Sequence, residues 1–377
     1  SMHARGVPDP GSQNEEVIDL QAMLADLELL VNTESPSLDV PLLTASAITL
    51  ASVVERRLGS APAIIDGPAG PHVHWSGGGT PKVLIVGHHD TVFPAGSCAA
   101  RPFAIADGRA MGPGVFDMKA GIVQALHAVA SLADRSGVEL LITSDEEVGS
   151  LTSRDLIEAR AIACGSVLVC EPSADGGAVK IARKGTGTFE VVVHGKASHA
   201  GLEPEKGVNA LVAAAELITH IATFGDLSTA TTVTPTVAVA GTVDNVVPAE
   251  ARVKVDVRVE QPGEKERLEG LFASLVTSVP GATIEVLGGI NRPPMPATAS
   301  ATLFPVAVAA AAAAGLGEVR GVGVGGGSDG NFTAARGVPT LDGLGAVGGG
   351  AHADHEFVLV DTMVARAQLL AALIDRL

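Results

Sequence analysis

Residues 82–92, KVLIVGHHDTV, change abruptly from an apolar run to histidine, aspartate and threonine. Their apolar half is typical of a buried strand, and similar runs follow at 138–143 (VELLIT) and 166–170 (SVLVC). Helical patterns at 121–133 and 153–161 separate these runs. Because strands that alternate with helices form βαβ units, the sequence predicts an α/β fold with a mostly parallel sheet.

The pattern changes near Lys184, where apolar and polar residues begin to alternate. The predicted elements then follow the order β-α-β-β-α-β, at residues 188–194, 207–224, 236–240, 251–259, 264–276 and 282–287. This order is typical of a ferredoxin-like α+β unit with an antiparallel sheet. The stretch RPPMP at 292–296 is interpreted as a linker back to the first unit. We therefore predict a main domain in two parts, 15–184 and 293–377, interrupted by an inserted domain at 185–292.

Further helices are predicted on both sides of these units, at residues 15–30, 45–58, 309–314 and 362–377. Ser1 and Met2 resemble a cloning remnant, and the residues up to about 14 are predicted to be a disordered lead-in. A signal peptide removed from the chain would leave no trace.

Composition argues against several classes of protein. The chain has 377 residues, which favours two domains, and a formal net charge of −17, which argues against nucleic acid as a partner. No apolar run has the length of a membrane span, so no membrane partner is expected. The cysteines are Cys98, Cys164 and Cys170, an odd number at irregular spacing. We expect reduced thiols in a cytoplasmic protein rather than a disulfide framework or a thiolate zinc site.

Histidine and carboxylates follow each of the three predicted buried strands, at the edge where open α/β sheets bind ligands. His88 follows the first strand, with Asp90 placed to orient it; Glu146 and Glu147 follow the second; Glu171 follows the third. Each segment alone has a structural interpretation: a hydrogen-bonded core histidine, a solvated acidic loop, or a charge at a helix start.

Two glycine-rich segments supply further candidates. Asp117 lies in GPGVFDMKAG (112–121), where it either faces the site or caps a helix. His352 lies in GGGAHAD (348–354), which is either a loop whose backbone approaches a ligand closely or a flexible surface loop. Two histidines with several carboxylates and no cysteine are the ligands expected of a hydrolytic zinc pair. The sequence therefore predicts such a centre from the coincidence of all five segments.

The ordered motifs GHHDTV, GPGVFDMKAG, TSDEEVGS, CEP, GKASHAGLEPEKGVNA and GGGAHAD resemble those of the zinc aminoacylase and carboxypeptidase family of metallopeptidases. That family includes bacterial glutamate carboxypeptidases, acetylornithine deacetylase and succinyl-diaminopimelate desuccinylase. The resemblance extends over nearly the whole chain from about residue 15. Two local sequences resemble the glutamate-carboxypeptidase-like members most closely, GGGSDGNFTA (325–334) and GLGAVGGGAHAD (343–354).

The resemblance implies a role for each candidate ligand and for the base. Asp117 would bridge two zinc ions, and the ligands of the two ions would be His88 with Glu171 and Glu147 with His352. Glu146 would be the general base, which takes a proton from water and delivers it to the leaving amine. Asp90 would orient His88, and the peptide bond Asp117–Met118 is a candidate for the cis form. Cobalt or manganese would be possible substitutes for zinc.

The resemblance also implies a homodimer that forms through the inserted domain, which would act as a lid. In relatives a histidine at the position of His199 reaches the partner subunit's active site and stabilises the oxyanion. The alternative interpretation is that His199 has a purely structural role in its loop.

Cations and donors for the substrate are expected in and around the inserted domain. Arg258, in VKVDVRVE (253–260), is a candidate for the substrate's carboxylate, with pairing to a neighbouring glutamate as the alternative. Asn245 matches a family asparagine that contacts substrate. The remaining candidates are Lys180, Arg183, Arg292 and the loop that contains Ser328.

Three functions remain open from the sequence. The first is a two-zinc carboxypeptidase that releases a C-terminal amino acid, preferably acidic, from small peptides or N-acyl conjugates. The second is a deacylase of N-acyl amino acids, of the acetylornithine or succinyl-diaminopimelate type. The third is a non-catalytic metal-binding protein on the same scaffold. His89, between His88 and Asp90, either points into the sheet or competes as a ligand.

Overall fold

The structure is a computed structural model, and it describes residues 17–377. The predicted lead-in up to about residue 14 and the first two residues of the predicted helix 15–30 lie outside this range. Among the described residues, no helix has both the length and the hydropathy needed to cross a membrane.

The chain before the insertion alternates between helices and strands. Its helices are α1 (Leu20–Asn32), α2 (Val40–Leu58), α3 (Ser97–Ala100), α4 (Ala120–Ser131) and α5 (Arg154–Cys164). Its strands are β1 (Ala63–Ile65), β2 (His72–Ser76), β3 (Val83–His88), β4 (Ala104–Ala106), β5 (Arg109–Met111), β6 (Val138–Thr143), β7 (Val167–Val169) and β8 (Val179–Arg183).

The inserted segment has the predicted β-α-β-β-α-β order. Its elements are β9 (Gly185–His194), α6 (Ala210–Ile221), β10 (Thr232–Ala240), β11 (Glu250–Val259), α7 (Glu264–Ala273) and β12 (Thr283–Arg292). The strands form an antiparallel sheet in the order β10-β11-β9-β12, which is the ferredoxin-like arrangement. Alternate residues of β11 are buried, and the ring of Phe189 on β9 stacks on that of Phe272 on α7 with 3.9 Å between centroids. This segment therefore has a hydrophobic core of its own.

The chain after the insertion completes the main part of the fold. Its elements are α8 (Leu303–Ala313), β13 (Gly321–Val324), α9 (Gly330–Ala335), β14 (Thr340–Leu341), β15 (Gly348–Gly349), β16 (Phe357–Leu359) and α10 (Met363–Ile374). Strand β14 joins the central sheet beside β7, and β13 pairs with β8.

The central sheet has the order β1-β2-β6-β3-β7-β14, and the pairs β6–β3, β3–β7 and β7–β14 are parallel. Both faces are covered: Ile85 of β3 lies in the core shared with α1, α2 and α4, whereas Leu84 and Val86 pack with Ile157 of α5. Parallel strands buried on both faces read as continuous apolar runs, which is why the sequence identified β3, β6 and β7. The predicted α/β architecture with an α+β insertion is confirmed.

Residues 292–296, which were predicted to be a linker back to the first unit, also make contacts of their own. Arg292 is the last residue of β12, and the backbone of Met295 pairs with that of Arg183, with both N–O distances at 2.9 Å. The prolines at 293, 294 and 296 cannot donate, but Met295 keeps its N–H and is buried. This segment therefore packs against the exit of β8 rather than spanning a gap.

Candidate metal centre and substrate cleft

The carboxyl ends of three neighbouring parallel strands meet at one edge of the central sheet. His88 is the last residue of β3 and lies in register with Thr143, the last residue of β6. The turn that carries Glu146 and Glu147 follows β6 directly, and Glu171 lies two residues beyond β7. Side chains that are far apart in sequence are thereby brought to the same edge.

One group of potential ligands contains His88, Asp117 and Glu171. Nε2 of His88 lies 3.2 Å from Oδ1 of Asp117 and 3.4 Å from Oε1 of Glu171. His88 is buried, and its ring is held at the end of a buried strand.

A second group contains Asp117, Glu147 and His352. Nε2 of His352 lies 3.2 Å from Oδ2 of Asp117 and 3.1 Å from the carboxylate of Glu147. Within each group, the potential ligand atoms all lie within 4.8 Å of one another. Asp117 belongs to both groups and offers a different oxygen to each histidine, which is the geometry expected of a bridging carboxylate.

The turn Val115–Lys119 presents Asp117. Gly114 precedes it with φ at +73°, and a Cβ there would lie 2.5 Å from Cγ2 of Thr91. The peptide bond Asp117–Met118 is cis. Lys119 is buried and donates to the carbonyls of Leu30 (2.8 Å) and Thr33 (2.9 Å), which ties the turn to the end of α1.

Two glycines bring the next segments close to this turn. A Cβ on Gly121 would lie 2.1 Å from the carbonyl oxygen of Cys170, and one on Gly345 would lie 2.2 Å from the same oxygen. Since only glycine permits these approaches, helix α4 begins directly beside the residue that precedes Glu171.

The electrostatics of the two groups call for a cation. The carboxylates of Asp117 and Glu147, which accept hydrogen bonds from the ring, raise the pKa of His352 to about 10. Burial opposes protonation of His88, but Asp117, Asp90 and Glu171 raise its pKa well above the ordinary value. Burial acts against ionisation of Asp117, but the two histidines lower its pKa well below the usual range. Imidazole nitrogens and carboxylate oxygens without thiolate form a donor set that fits zinc, so the residues present suit the implied metal.

Asp90 connects His88 to the turn after β6. Its Oδ1 lies 3.3 Å from Nδ1 of His88 and accepts from the backbone N–H of Glu146 at 3.1 Å. Its Oδ2 accepts from Ser37 at 2.7 Å and from the N–H of Glu147 at 3.2 Å. Nδ1 of His88 lies closer still to the backbone carbonyl oxygen of Asp90, at 3.0 Å. The fully buried Asp90 thus contacts the histidine ring through its backbone and its carboxylate, and the carboxylate also binds the backbone that carries the acidic pair.

His89 points away from the metal groups. Its Nδ1 lies 3.0 Å from Oγ of Ser46, and its Nε2 lies 3.0 Å from the carbonyl oxygen of Pro71. Burial lowers the pKa of His89 to about 4, so the ring is neutral. Both ring nitrogens are therefore occupied, and of the two alternatives left by the sequence the structure supports the one in which His89 points into the fold.

Glu146 lies beside both metal groups. One of its oxygens lies 3.9 Å from Nε2 of His88, and the other lies 3.0 Å from Nη2 of Arg292. Burial raises the pKa of Glu146 well above the ordinary value, and the Arg292 guanidinium opposes that rise. A carboxylate of this kind, next to but outside the ligand groups, has the placement of a general base.

A cleft of about 720 Å³ opens between this turn and the sheet of the inserted segment. Its lining includes polar and charged side chains (Glu146, Glu147, Thr186, Thr188, Asp256, Arg258, Asn291 and Arg292) and the apolar side chains of Val148, Leu151 and Ile290. The cleft therefore joins the candidate base to strands β9, β11 and β12.

The residues predicted to contact substrate differ in their exposure and in their bonded partners. Arg258 lines the cleft, but its guanidinium donates to both oxygens of Asp256, at 3.0 and 2.8 Å. Arg292 is buried against Glu146. Ser328 is fully buried, and its Oγ donates to Asp342 at 2.5 Å.

The two further candidates, Lys180 and Arg183, both lie on β8. Lys180 is half-buried, and burial lowers its pKa. Arg183 is buried and donates to Asp342 at 2.6 and 3.2 Å, which makes it a bonded core residue.

His199 and Asn245 lie together on the inserted segment, outside the residues that line the cleft. The N–H of Ala200, next to His199, donates to the carbonyl of Asn245 at 2.9 Å, and both residues are exposed. Nδ1 of His199 accepts from the N–H groups of Gly201 and Leu202, at 3.1 and 3.2 Å. This arrangement leaves Nε2 as the nitrogen that faces outwards.

Some residues of the site were not identified from the sequence. Asp329 binds Arg292, Asn291 binds the turn after β6, and Glu356 accepts from the N–H of Phe116 at 2.9 Å. Asp329 and Glu356 are buried acidic residues next to predicted motifs. That adjacency was the only available signal, because their partners are far away in the chain.

The chain is similar to known proteins in sequence. The profile of peptidase family M20/M25/M40 matches residues 84–376. Carboxypeptidase G2 from Pseudomonas sp. (strain RS-16) is 33% identical over 376 aligned residues, which cover 94% of this chain and 88% of that protein. Succinyl-diaminopimelate desuccinylase from Rhodospirillum centenum is 30% identical over 225 residues, 54% of this chain and 58% of that one.

Solved structures share the fold. The M20 family metallo-carboxypeptidase Sso-CP2 from Sulfolobus solfataricus superimposes with a TM-score of 0.77 at 18% identity, over 94% of this chain and 99% of that one. The family match covers most of the chain and includes the sheet edge where the candidate ligands meet. The chain belongs to peptidase family M20/M25/M40, and it is a metallopeptidase of that family.

Proposed function

We propose that this chain is a two-zinc carboxypeptidase that hydrolyses the amide bond before a C-terminal, preferably acidic, amino acid of small peptides or N-acyl conjugates. One observation carries the proposal: Asp117 is shared between two ligand groups that lie beside Glu146, at the mouth of a cleft that contains Arg258. The identity to carboxypeptidase G2 over 94% of the chain supports the same activity.

The residues divide into ligands and a proton carrier. His88 and Glu171 would hold one zinc ion, Glu147 and His352 the other, and Asp117 both. When bound, the zinc pair supplies Lewis-acid polarisation of the scissile carbonyl and lowers the pKa of water. Carboxylate-rich sites accept several divalent metals, so cobalt or manganese would also be accommodated.

Glu146 would perform both proton transfers. Its carboxylate accepts a proton from water as the water oxygen attacks the carbonyl carbon. It then delivers that proton to the amide nitrogen as the C–N bond breaks, so that a carboxylic acid and a free amine leave. Its burial supports this role, because a raised pKa suits a group that must hold the proton between the two steps.

The substrate's terminal carboxylate would bind at Arg258. Asp256 holds the guanidinium in the cleft in a bidentate pair, so the donors are already oriented. A carboxylate entering from solvent would share or replace Asp256 as the partner. Asn245 and Lys180 would contribute further polar contacts once the insertion closes on the substrate.

A deacylase of N-acyl amino acids is the second candidate function. The match to succinyl-diaminopimelate desuccinylase favours it, although that match covers about half of the chain. The same ligands and base would act, and only the bulk accepted on each side of the amide would differ. A non-catalytic metal-binding protein is a weaker explanation, since every expected ligand and Glu146 are present.

We further propose that the protein acts as a homodimer joined through the insertion. Strand β10 is an edge strand, and it exposes Val237 and Val239. An unpaired apolar edge is a surface that a second copy could extend or cover. His199 lies outside its own cleft, and its outward Nε2 would reach the partner's site as an oxyanion donor. We also propose a cytoplasmic location, which the three free thiols support.

Hydrolysis of a matched substrate panel by the zinc-loaded protein tests the proposal. The panel contains N-acyl-glutamates, a folate-type aryl glutamate, dipeptides, acetylornithine and succinyl-diaminopimelate, and amine release is the readout. Turnover of bulky glutamate conjugates that is lost in Glu146→Ala would support the carboxypeptidase. Preference for small acyl groups would indicate the deacylase. No turnover by protein with two bound metals would overturn both.

A further inference from the structure

The last two residues of β12 hold the turn that carries the candidate base. We propose that Asn291 and Arg292 form a latch, defined as the side chains of these two residues, through which the position of the inserted sheet sets the geometry of Glu146. The proposal rests on the proposed function in one respect, the role of Glu146 as the general base. It assigns Arg292 as a positioning residue rather than a substrate-binding one.

Arg292 contacts the turn at three atoms. Its Nη2 lies 3.0 Å from Oε1 of Glu146, 3.0 Å from the carbonyl oxygen of Glu146 and 3.1 Å from Oγ of Ser150. One side-chain nitrogen of Arg292 therefore binds both the carboxylate and the backbone carbonyl of Glu146, and it fixes their relative orientation.

The rest of the guanidinium is held within the main part of the fold. Nη1 donates to Oδ1 of Asp329 at 2.9 Å, and the same oxygen accepts from Ser150. The guanidinium lies over the ring of Phe332, 4.7 Å from its centroid. The side chain is 5% exposed, so a substrate carboxylate would have to displace bonded partners in order to reach it.

Asn291 makes the second connection. Its Nδ2 donates to the carbonyl oxygen of Gly149 at 2.8 Å, and a Cβ on Gly149 would lie 2.6 Å from that nitrogen. The turn is therefore shaped to receive this amide as well as the guanidinium.

Both latch residues belong to the sheet that carries the candidate substrate contact. Arg292 lies in register with Thr186 of β9, and β9 pairs with β11, which carries Arg258. Any displacement of this sheet changes the position of Arg258 and of the latch together. A substrate that seats the inserted sheet through Arg258 would thereby also place Glu146 for proton transfer.

Kinetics of Arg292→Gln and Arg292→Lys distinguish this role from substrate binding. We expect Arg292→Gln to lower kcat about 100-fold, because small misplacements of a base have effects of this size, with KM changed by less than about threefold. Arg292→Lys should recover part of kcat, since an ammonium can still bind Glu146. Arg252→Gln, which removes an exposed arginine of the same sheet, is the matched control and should match wild type.

A pair of substrates that differ only in a C-terminal carboxylate or carboxamide provides the decisive comparison. If Arg292 positions Glu146, Arg292→Gln should retain the wild-type preference for the carboxylate. A loss of that preference, or an increase in KM with kcat unchanged, would show that Arg292 binds substrate and would overturn the latch.

Asn291→Ala covers the case in which the buried arginine cannot be replaced without unfolding. It should lower kcat about tenfold at constant KM and speed up amide hydrogen exchange in residues 145–150. Unchanged exchange and unchanged kcat would overturn the proposal. If wild-type protein hydrolyses nothing in the panel, the proposed function fails, but exchange in Asn291→Ala and Arg292→Lys still tests the latch.

Discussion

Oδ1 of Asp117 lies 3.2 Å from Nε2 of His88, while the other oxygen of the same carboxylate faces His352 at the same distance. The two ligand groups are thus joined through one side chain. We therefore expect wild-type protein to bind two zinc ions per chain and Asp117→Asn to retain at most one. Metal analysis by mass spectrometry after dialysis measures this stoichiometry.

The exposed Asp361 offers a control for that experiment. Asp361→Asn removes the same charge without touching either group and should bind metal as wild type does. Two tightly bound ions in Asp117→Asn would contradict the bridging role.

Replacing Arg258 should affect binding more than chemistry. Arg258→Gln is expected to raise KM for substrates with a free C-terminal carboxylate by about tenfold or more, because a charged bidentate contact is lost. The value of kcat should change little, which is the opposite of the expectation for Arg292→Gln. Steady-state kinetics measures both constants, and an unchanged KM would leave Arg258 as no more than a partner of Asp256.

Mixing two inactive variants tests whether His199 serves the partner's site. A dimer of one His199→Ala chain and one Glu146→Ala chain has one complete site, made of Glu146 from the first and His199 from the second. Random exchange of subunits should therefore restore about one quarter of wild-type activity. Activity that stays at the level of the separate variants would argue that His199 acts within its own chain or not at all.

A buried carboxylate far from the cleft should control stability. Asp26 accepts from His127 (2.8 Å), Arg57 (2.6 Å) and Arg56 (2.8 Å), and its side chain is 2% exposed. Burial raises the pKa of Asp26, but these three donors lower it well below the ordinary value. Asp26→Asn should lower the free energy of unfolding at neutral pH by about 2–3 kcal/mol, as the loss of charged hydrogen bonds does.

The pH dependence of that difference follows from the direction of the pKa shift. A carboxyl group whose pKa is lower in the folded state stabilises the protein fully above its unfolded pKa, about 4, and loses this contribution as pH falls further. The gap between wild type and Asp26→Asn should be constant above about pH 5 and should narrow below about pH 4. Urea unfolding at several pH values measures it, and a gap that widens on acidification would contradict the assignment.

Local patterns were sufficient for the elements that are buried on both faces or strictly alternating. The runs at β3, β6 and β7 and the alternation at 188–194 in β9 predicted strands that overlap those observed. The short strands β15 and β16 and the glycine-rich β13 were not predicted, because two to four residues carry no periodicity and are held by their neighbours. The five candidate ligands could be named because each directly follows a strand or lies in a glycine-rich turn.

The contacts that arrange those ligands were beyond local patterns. The two bonds that hold His89, to Ser46 and Pro71, join segments more than 15 residues away in the chain, and nothing near His89 announces them. Arg292 was expected to be a free cation because its partners Glu146 and Asp329 lie 146 and 37 residues away in the chain. Ion pairs between distant segments thus bury Arg292, whereas Arg258 remains partly exposed in the cleft.

The inserted segment begins and ends on adjacent strands, β9 and β12, since Thr186 and Arg292 are register partners. Every candidate ligand lies outside this loop of chain, at positions 88, 117, 147, 171 and 352. The whole insertion could therefore be gained, lost or exchanged in evolution at this one place in the fold without altering a metal ligand. New substrate preferences could be acquired by transplanting this module, provided that the transplant ends in a pair of side chains able to grip the turn after β6.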